Sequence, residues 1–134
     1  ATRHAAAVAD RYDALVHVLN VVDIQAAGGA FNAGGLNETF IERLEANGRD
    51  AVATTADELR TAAPDISVET AVEQTTSLDG VAAGIQEYVS DNDIDFVVMA
   101  SHGRSNLKRQ LLGSVTSQLL RTVDVPVLVT PRSN

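Results

Sequence analysis

The residues best suited to chemistry in this chain are Ala100-Ser101-His102-Gly103 and, nine positions after Gly103, Gly113-Ser114. An apolar run, Phe96-Val97-Val98-Met99, leads into the first group, and a helical pattern from Val115 to Thr122 follows the second. A glycine loop at the carboxyl end of a strand, followed by Gly-Ser at a helix mouth, offers backbone N–H groups to phosphate. Glycine lets the chain approach the anion closely, and the helix dipole favours negative charge at its N-terminus. These residues predict a nucleotide site in the last third of the chain. Ser114 also suits a plain helix cap and His102 a plain loop spacer, so the set carries the prediction and no single member does.

Charge sharpens this reading. The net charge is −8, from 18 acidic and 10 basic residues, which argues against a nucleic-acid binder needing a basic face to displace counterions. Arg104, Lys108, Arg109 and Arg121 nevertheless gather within eighteen positions, beside the predicted phosphate loop. An ordinary solvated helix face is the plain alternative. No apolar run approaches the roughly 20 residues that span a bilayer. The chain has no cysteine, which excludes disulfides and thiolate metal sites and agrees with a cytoplasmic protein. Its 134 residues make one domain, 1–134, with a single core.

The elements that must position the loop follow from periodicity. Ala1 to Tyr12 reads as the back half of a helix, with His4, Ala5, Val8 and Ala9 at helical spacing. Leu15 to Val22 is nearly continuous in Val and Leu, as in a strand buried on both faces, and His17 within it reads as a satisfied core histidine. Ile24 to Leu36 is a glycine-rich loop; its Gly28-Gly29 and Gly34-Gly35 pairs match no phosphate-loop pattern and read as a linker. A long helix starts at Asn37, with Phe40, Leu44, Ala51, Thr55, Leu59 and Ala62 as its apolar stripe, and ends before Pro64. Gly48 lowers its propensity by about 1 kcal/mol relative to alanine and marks a place for a bend.

Ile66 to Val72 follows as a strand, and Ser77 caps a helix with Val81, Ile85 and Val89 on one face. Ile94 to Ala100 is the next buried strand. Leu107, Leu111 and Leu112 pack the segment after the glycine loop, and Val115, Leu119 and Leu120 face the core. Val125 to Thr130 is the last strand, at a sheet edge because Pro126 cannot donate to a ladder. Alternating helices and strands predict an α/β fold: an open parallel sheet, Rossmann-like, with helices on both faces.

At Val98-Met99-Ala100-Ser101-His102-Gly103, Leu112-Gly113-Ser114-Val115-Thr116 and Val125-Pro126-Val127-Leu128-Val129, the chain resembles the universal stress protein family. It is most similar to the ATP-binding branch, whose signature is Gly, two residues, Gly, nine residues, then Gly with Ser or Thr. The resemblance implies an adenine nucleotide alpha hydrolase-like fold. It places Val21 and Met99 against the adenine and Ala100 at the ribose. It wraps Ser101, His102, Gly103, Arg104, Ser105 and Asn106 around the phosphates. Gly113, Ser114, Val115 and Thr116 then offer backbone N–H groups and hydroxyls at a helix start. Two departures stand out: alanine replaces the first signature glycine at Ala100, and the family's opening strand, central in its sheet and ending in a Pro-x-Asp turn, has no counterpart. A parallel sheet lacking its middle strand leaves two rows of unpaired backbone groups, so the sequence is read as lacking its first strand, with roughly fifteen to twenty residues to come before Ala1.

The function implied is an ATP-binding regulator or switch of the stress response, with Mg²⁺ accompanying ATP and a homodimer formed through Val125–Thr130. No Ser/His/Asp set or carboxylate pair is placed at the loop, so slow ATP hydrolysis bounds any catalysis. Two alternatives stay open: a related nucleotide-activating α/β enzyme, and a nucleotide-free dimeric interaction module of the same family, which Ala100 keeps in play.

Overall fold

Strand β1 (Leu15–Asp23) is the element around which the fold is organised. In chain order it follows α1 (Thr2–Tyr12) and precedes α2 (Glu38–Ala62), β2 (Ser67–Thr75), α3 (Gly80–Asp91), β3 (Val97–Ala100), α4 (Ser114–Thr122) and β4 (Val127–Thr130). The computed structural model describes residues 1–24, 38–101 and 112–131. The predicted linker beyond Ile24, and the predicted packing residues Leu107 and Leu111, lie outside the described residues.

The predicted alternation of helices and parallel strands is present. β1 pairs with β2 in parallel, from Leu15↔Ser67 to Asp23↔Thr75, and β3 pairs with β4 in parallel, from Val97↔Val127 to Ala100↔Thr130. Among the described residues these are two separate two-stranded sheets. Between β1 and β3 lies a mainly apolar cleft of about 540 Å³.

Strand geometry sends alternate side chains to opposite faces, and β1 shows both faces covered. Val16 and Val18, with Ile66 and Val68, pack on the buried trio Ala6, Leu59 and Ala63 of the α1–α2 layer. On the other face His17 Nδ1 meets Tyr88 Oη of α3 at 2.7 Å, with the rings edge-to-face at 5.6 Å. His17, half-buried, is therefore hydrogen-bonded as the sequence reading expected. Burial, with the Glu69 and Glu73 carboxylates nearby, holds the Tyr88 hydroxyl above the ordinary tyrosine pKa.

Two glycines set how closely the helices approach. A Cβ at Gly48 of α2 would stand 2.6 Å from Asn20 Oδ1 and 3.2 Å from Val72 Cγ1. One at Gly84 of α3 would stand 2.7 Å from Val21 Cγ1. The two helices thus close on consecutive residues of β1 from opposite sides. α2 runs unbroken through Gly48. Its buried residues are Gly48, Val52, Ala56 and Leu59, while Ala51 and Ala62 of the predicted stripe are exposed. Hydropathy passes over a contact whose essential feature is the lack of a side chain.

Element ends differ from the sequence reading for local reasons. Ser77 does not cap α3: its Oγ accepts the Asp79 N–H (3.1 Å) and its carbonyl the Gly80 N–H (3.0 Å), shaping a turn that delivers Gly80 at φ +66°. β3 starts at Val97 because Asp93 is left-handed (φ 53°) and the Ile94 N–H still bonds Val89 of α3 (3.1 Å). β2 reaches Thr75, past the predicted Val72, because β1 offers pairing partners to Asp23. β4 starts at Val127; Pro126 only lends its carbonyl to the Val97 N–H (3.0 Å), and β4 ends its sheet as a proline there demands. Leu119 is fully buried, but Leu112 (46%) and Leu120 (43%) are exposed instead of core-facing.

The Gly84 contact yields a direct test. Val21 is β-branched and stiff, so it cannot swing away from an added side chain. Gly84→Val is expected to destabilise the protein by about 1–3 kcal/mol, read as a lower denaturation midpoint with an unchanged m-value. Ser90→Ala, at an exposed position of the same helix, is expected to leave the midpoint in place.

Candidate nucleotide site

The site is built where β3 and β4 end and α4 begins, the usual ligand position in an open α/β sheet. Four hydrogen bonds fasten these ends. The Ser101 N–H donates to the Thr130 carbonyl (2.7 Å), and the Gly113 N–H donates to the Ser101 carbonyl (2.8 Å). Thr116 Oγ1 donates to the Ala100 carbonyl (3.0 Å), and Thr130 Oγ1 makes a longer contact with the Met99 carbonyl (3.4 Å). Thr116 and Thr130 are both buried.

Gly113 is the residue that opens α4. Its backbone is extended (φ −64°, ψ 159°), its carbonyl accepts the Ser117 N–H (2.9 Å), and among the described residues no side chain caps the helix. The first N–H groups of a helix have no partner inside it, so this end can receive an anion's oxygens. Ser114 is exposed beside it and Val115 half-buried. The Thr116 hydroxyl ties the helix to β3 by donating to the Ala100 carbonyl. A buried hydroxyl needs such a partner.

Met99, Ala100, Ser101, Gly113, Ser114, Val115 and Thr116 are thus brought to one end of the β3–β4 pair. Among non-glycine described residues only Asp13 and Asp93 have positive φ, so Ala100 sits in extended strand without left-handed strain. Met99 lines the apolar cleft, whereas Val21 is not among the residues lining it and packs at Gly84. His102, Gly103, Arg104, Ser105 and Asn106 lie outside the described residues.

Two residues at this end escaped the sequence reading. Thr130 anchors Ser101, and its only signal is a hydroxyl closing an apolar strand. Asp23 closes β1, and its Oδ2 lies 2.9 Å from where a Cβ on Gly80 would be, so the carboxylate covers the start of α3. An acid ending an apolar strand was the available sign. Among the described residues no group of three or more His, Asp or Glu is placed to hold a metal ion.

With this geometry in place, the comparisons with known proteins can be read. The universal stress protein family model matches residues 1–131. The chain belongs to that family. The universal stress protein MJ0531 of Methanocaldococcus jannaschii is 32% identical over 130 residues, covering 96% of this chain and 72% of that one. A second protein of that organism, universal stress protein MJ0577, is 44% identical over 50 residues, 37% of this chain and 31% of its own. The solved MJ0577 structure covers 98% of this chain and 87% of its own, with a TM-score of 0.72 at 23% identity. A family structure from Burkholderia pseudomallei also gives 0.72, at 18% identity over 98% of this chain and 84% of that one. A universal stress protein in complex with cAMP gives 0.63, at 18% identity over 99% of this chain and 86% of that one. These likenesses share the α/β fold described above.

The Thr116 bond supplies the prediction for this site. Thr116→Val keeps the shape and removes one buried hydrogen bond, leaving the Ala100 carbonyl short of a donor. It is expected to cost about 1 kcal/mol of stability, within the 0.5–1.5 kcal/mol of a typical intramolecular hydrogen bond, measured by chemical denaturation.

Proposed function

We propose that this universal stress protein binds an adenine nucleotide, ATP with Mg²⁺, and acts in the stress response as a regulator or switch rather than an efficient enzyme. The observation that carries the reading is the N-terminus of α4, with no side-chain cap among the described residues and held against the end of β3 by the Gly113–Ser101 bond. Phosphate oxygens fit the free N–H groups there. In this reading Gly113, Ser114 and Val115 meet the phosphates, Ala100 lies at the ribose and Met99 at the adenine, and Ser101–Asn106 wrap the phosphate chain. Magnesium keeps most of its ligands as phosphate oxygens and water, so it needs no all-protein cage. The cAMP complex of a structural relative supports an adenine nucleotide as the ligand class. A cytoplasmic location belongs to the same reading, since a chain with no cysteine draws nothing from an oxidising compartment.

Mg-ATP is expected to raise the melting temperature of the protein, by a stabilisation of about 2.7 kcal/mol at a hundredfold excess over Kd. Gly113→Val is expected to abolish the rise. The backbone at Gly113 is extended, so valine brings no left-handed strain there while its side chain blocks the phosphate; a cooperative melt of the variant without ligand checks that its fold is kept. An undiminished shift in Gly113→Val removes the helix mouth from the site. No shift of the unmodified protein with ATP, ADP or cAMP favours the nucleotide-free interaction module.

The same reading includes a homodimer through Val125–Thr130. Among the described residues β4 ends its sheet, and its outer edge offers a backbone ladder to a second copy. Light scattering at micromolar concentration is expected to give twice the chain mass, and a monomer mass overturns this part.

A further inference from the structure

Strand β2 ends its sheet on the side away from β1, and among the described residues no strand pairs with its outer edge. That edge is long and regular: nine residues, Ser67–Thr75, matched one for one with β1, without bulge or proline. The Val68 carbonyl accepts Arg60 Nη2 (3.4 Å), so it points away from β1. A strand's backbone turns alternate residues to opposite sides of its ladder. Thr70, Val72 and Gln74 therefore point their N–H and C=O groups outward as well. Arg60 covers only the first of the outward carbonyls.

The side chains flanking this edge sort by charge. Val68 packs on the α1–α2 core, Val72 faces Gly48 of α2, and Gln74 bonds Glu45 of the same helix (2.5 Å). Alternation then turns Glu69, Ala71 and Glu73 to the α3 side. Burial first, and then the Glu69 and Glu73 carboxylates, raise the Tyr88 pKa, in agreement with that placement. A polar cavity of about 260 Å³ opens there between β2 and α3, where Glu73, Glu87, Asp91, Tyr88 and Asn92 meet and no basic residue enters. Glu69, Glu73, Glu87 and Asp91 are exposed, and among the described residues none of them has a basic partner.

We propose that the outer edge of β2 takes up an extended, basic segment of a partner protein as an added strand, with Lys or Arg at the two positions opposite Glu69 and Glu73. Added strands bind through main-chain hydrogen bonds and draw specificity from alternate side chains. A cation opposite Glu73 also reaches the mouth of the cavity, where Glu87 and Asp91 add to its field. Residues falling on the α2 side lie beside Thr70 and Val72, which suits β-branched side chains. A second copy of β2 is a poor occupant, because pairing about Ala71 sets Glu69 of one copy against Glu73 of the other. The net charge of −8 favours approach of a cationic segment. This surface owes nothing to the nucleotide reading.

The test uses a synthetic peptide, Lys-Val-Thr-Val-Lys between Gly-Ser flanks, titrated into the isotope-labelled protein without nucleotide. Nuclear magnetic resonance is expected to show peptide contacts to the Thr70 and Val72 amides, with exchange at both slowed roughly tenfold or more at saturation. The same peptide with Glu for both lysines is expected not to bind. Glu69→Gln combined with Glu73→Gln is expected to weaken binding about fivefold, the scale of two surface ion pairs. Thr70→Pro removes an outward N–H at an edge position, where proline is tolerated, and is expected to abolish the contacts. A melt without peptide checks the fold of each variant, and the double glutamine variant decides if Thr70→Pro does not fold. Thr70 and Val72 amides already protected in the free protein overturn the proposal, since another segment or a second copy then covers the edge. So do equal binding of the charge-reversed peptide, undiminished binding by the double variant, contacts mapped elsewhere on the protein, and no binding at millimolar peptide.

Discussion

The close approach of two helices to the middle of β1 is the constraint on which the other contacts depend. α2 touches β1 at Asn20 through Gly48, and α3 touches it at Val21 through Gly84. Neither contact leaves room for a Cβ, so both helices sit nearer the strand than ordinary side chains allow. That spacing lets small residues complete the core: Ala6, Ala9, Ala56, Ala63 and Ala82 are all buried, with Leu59 and Leu119 the only large side chains almost wholly enclosed among the described residues. A core of alanines holds by close packing and has little slack. Dispersion falls off steeply with a gap, so a shift of either helix would loosen many contacts together.

The same economy of side chains marks the candidate site. The groups that hold it together are chiefly backbone: the amides of Ser101 and Gly113 and the carbonyls of Met99, Ala100, Ser101 and Thr130. Buried threonines fasten them, Thr116 to the end of β3 and Thr130 across from β4. A site of this kind is rigid because each polar group that locates it is already engaged. Backbone groups of this kind suit the shape and charge of an anion.

Much of this was legible in the residues. The continuous Val and Leu of β1 stated a strand buried on both faces. Gly113-Ser114 before a helical pattern stated a helix mouth suited to an anion, and Pro126 stated an edge. Boundaries were less legible, because they are set by partners. Ile94 is apolar enough for a strand but is held by the last turn of α3, while Glu73 and Gln74 look polar enough for a loop but are held in β2 by pairing with β1. Thr116 shows the same limit near the site: only the tertiary structure reveals that its hydroxyl donates to the Ala100 carbonyl.

The sequence alone determined the alternation of elements, the parallel class of the strands, the family and the helix mouth, since periodicity, glycine and proline act through local sterics and local burial. Tertiary structure alone decided which face of α2 is inward and why Gly48 and Gly84 have no side chain. It also decided that β1 and β3 face each other across an apolar cleft. Those features depend on distances between segments far apart in the chain, and no local pattern encodes such a distance.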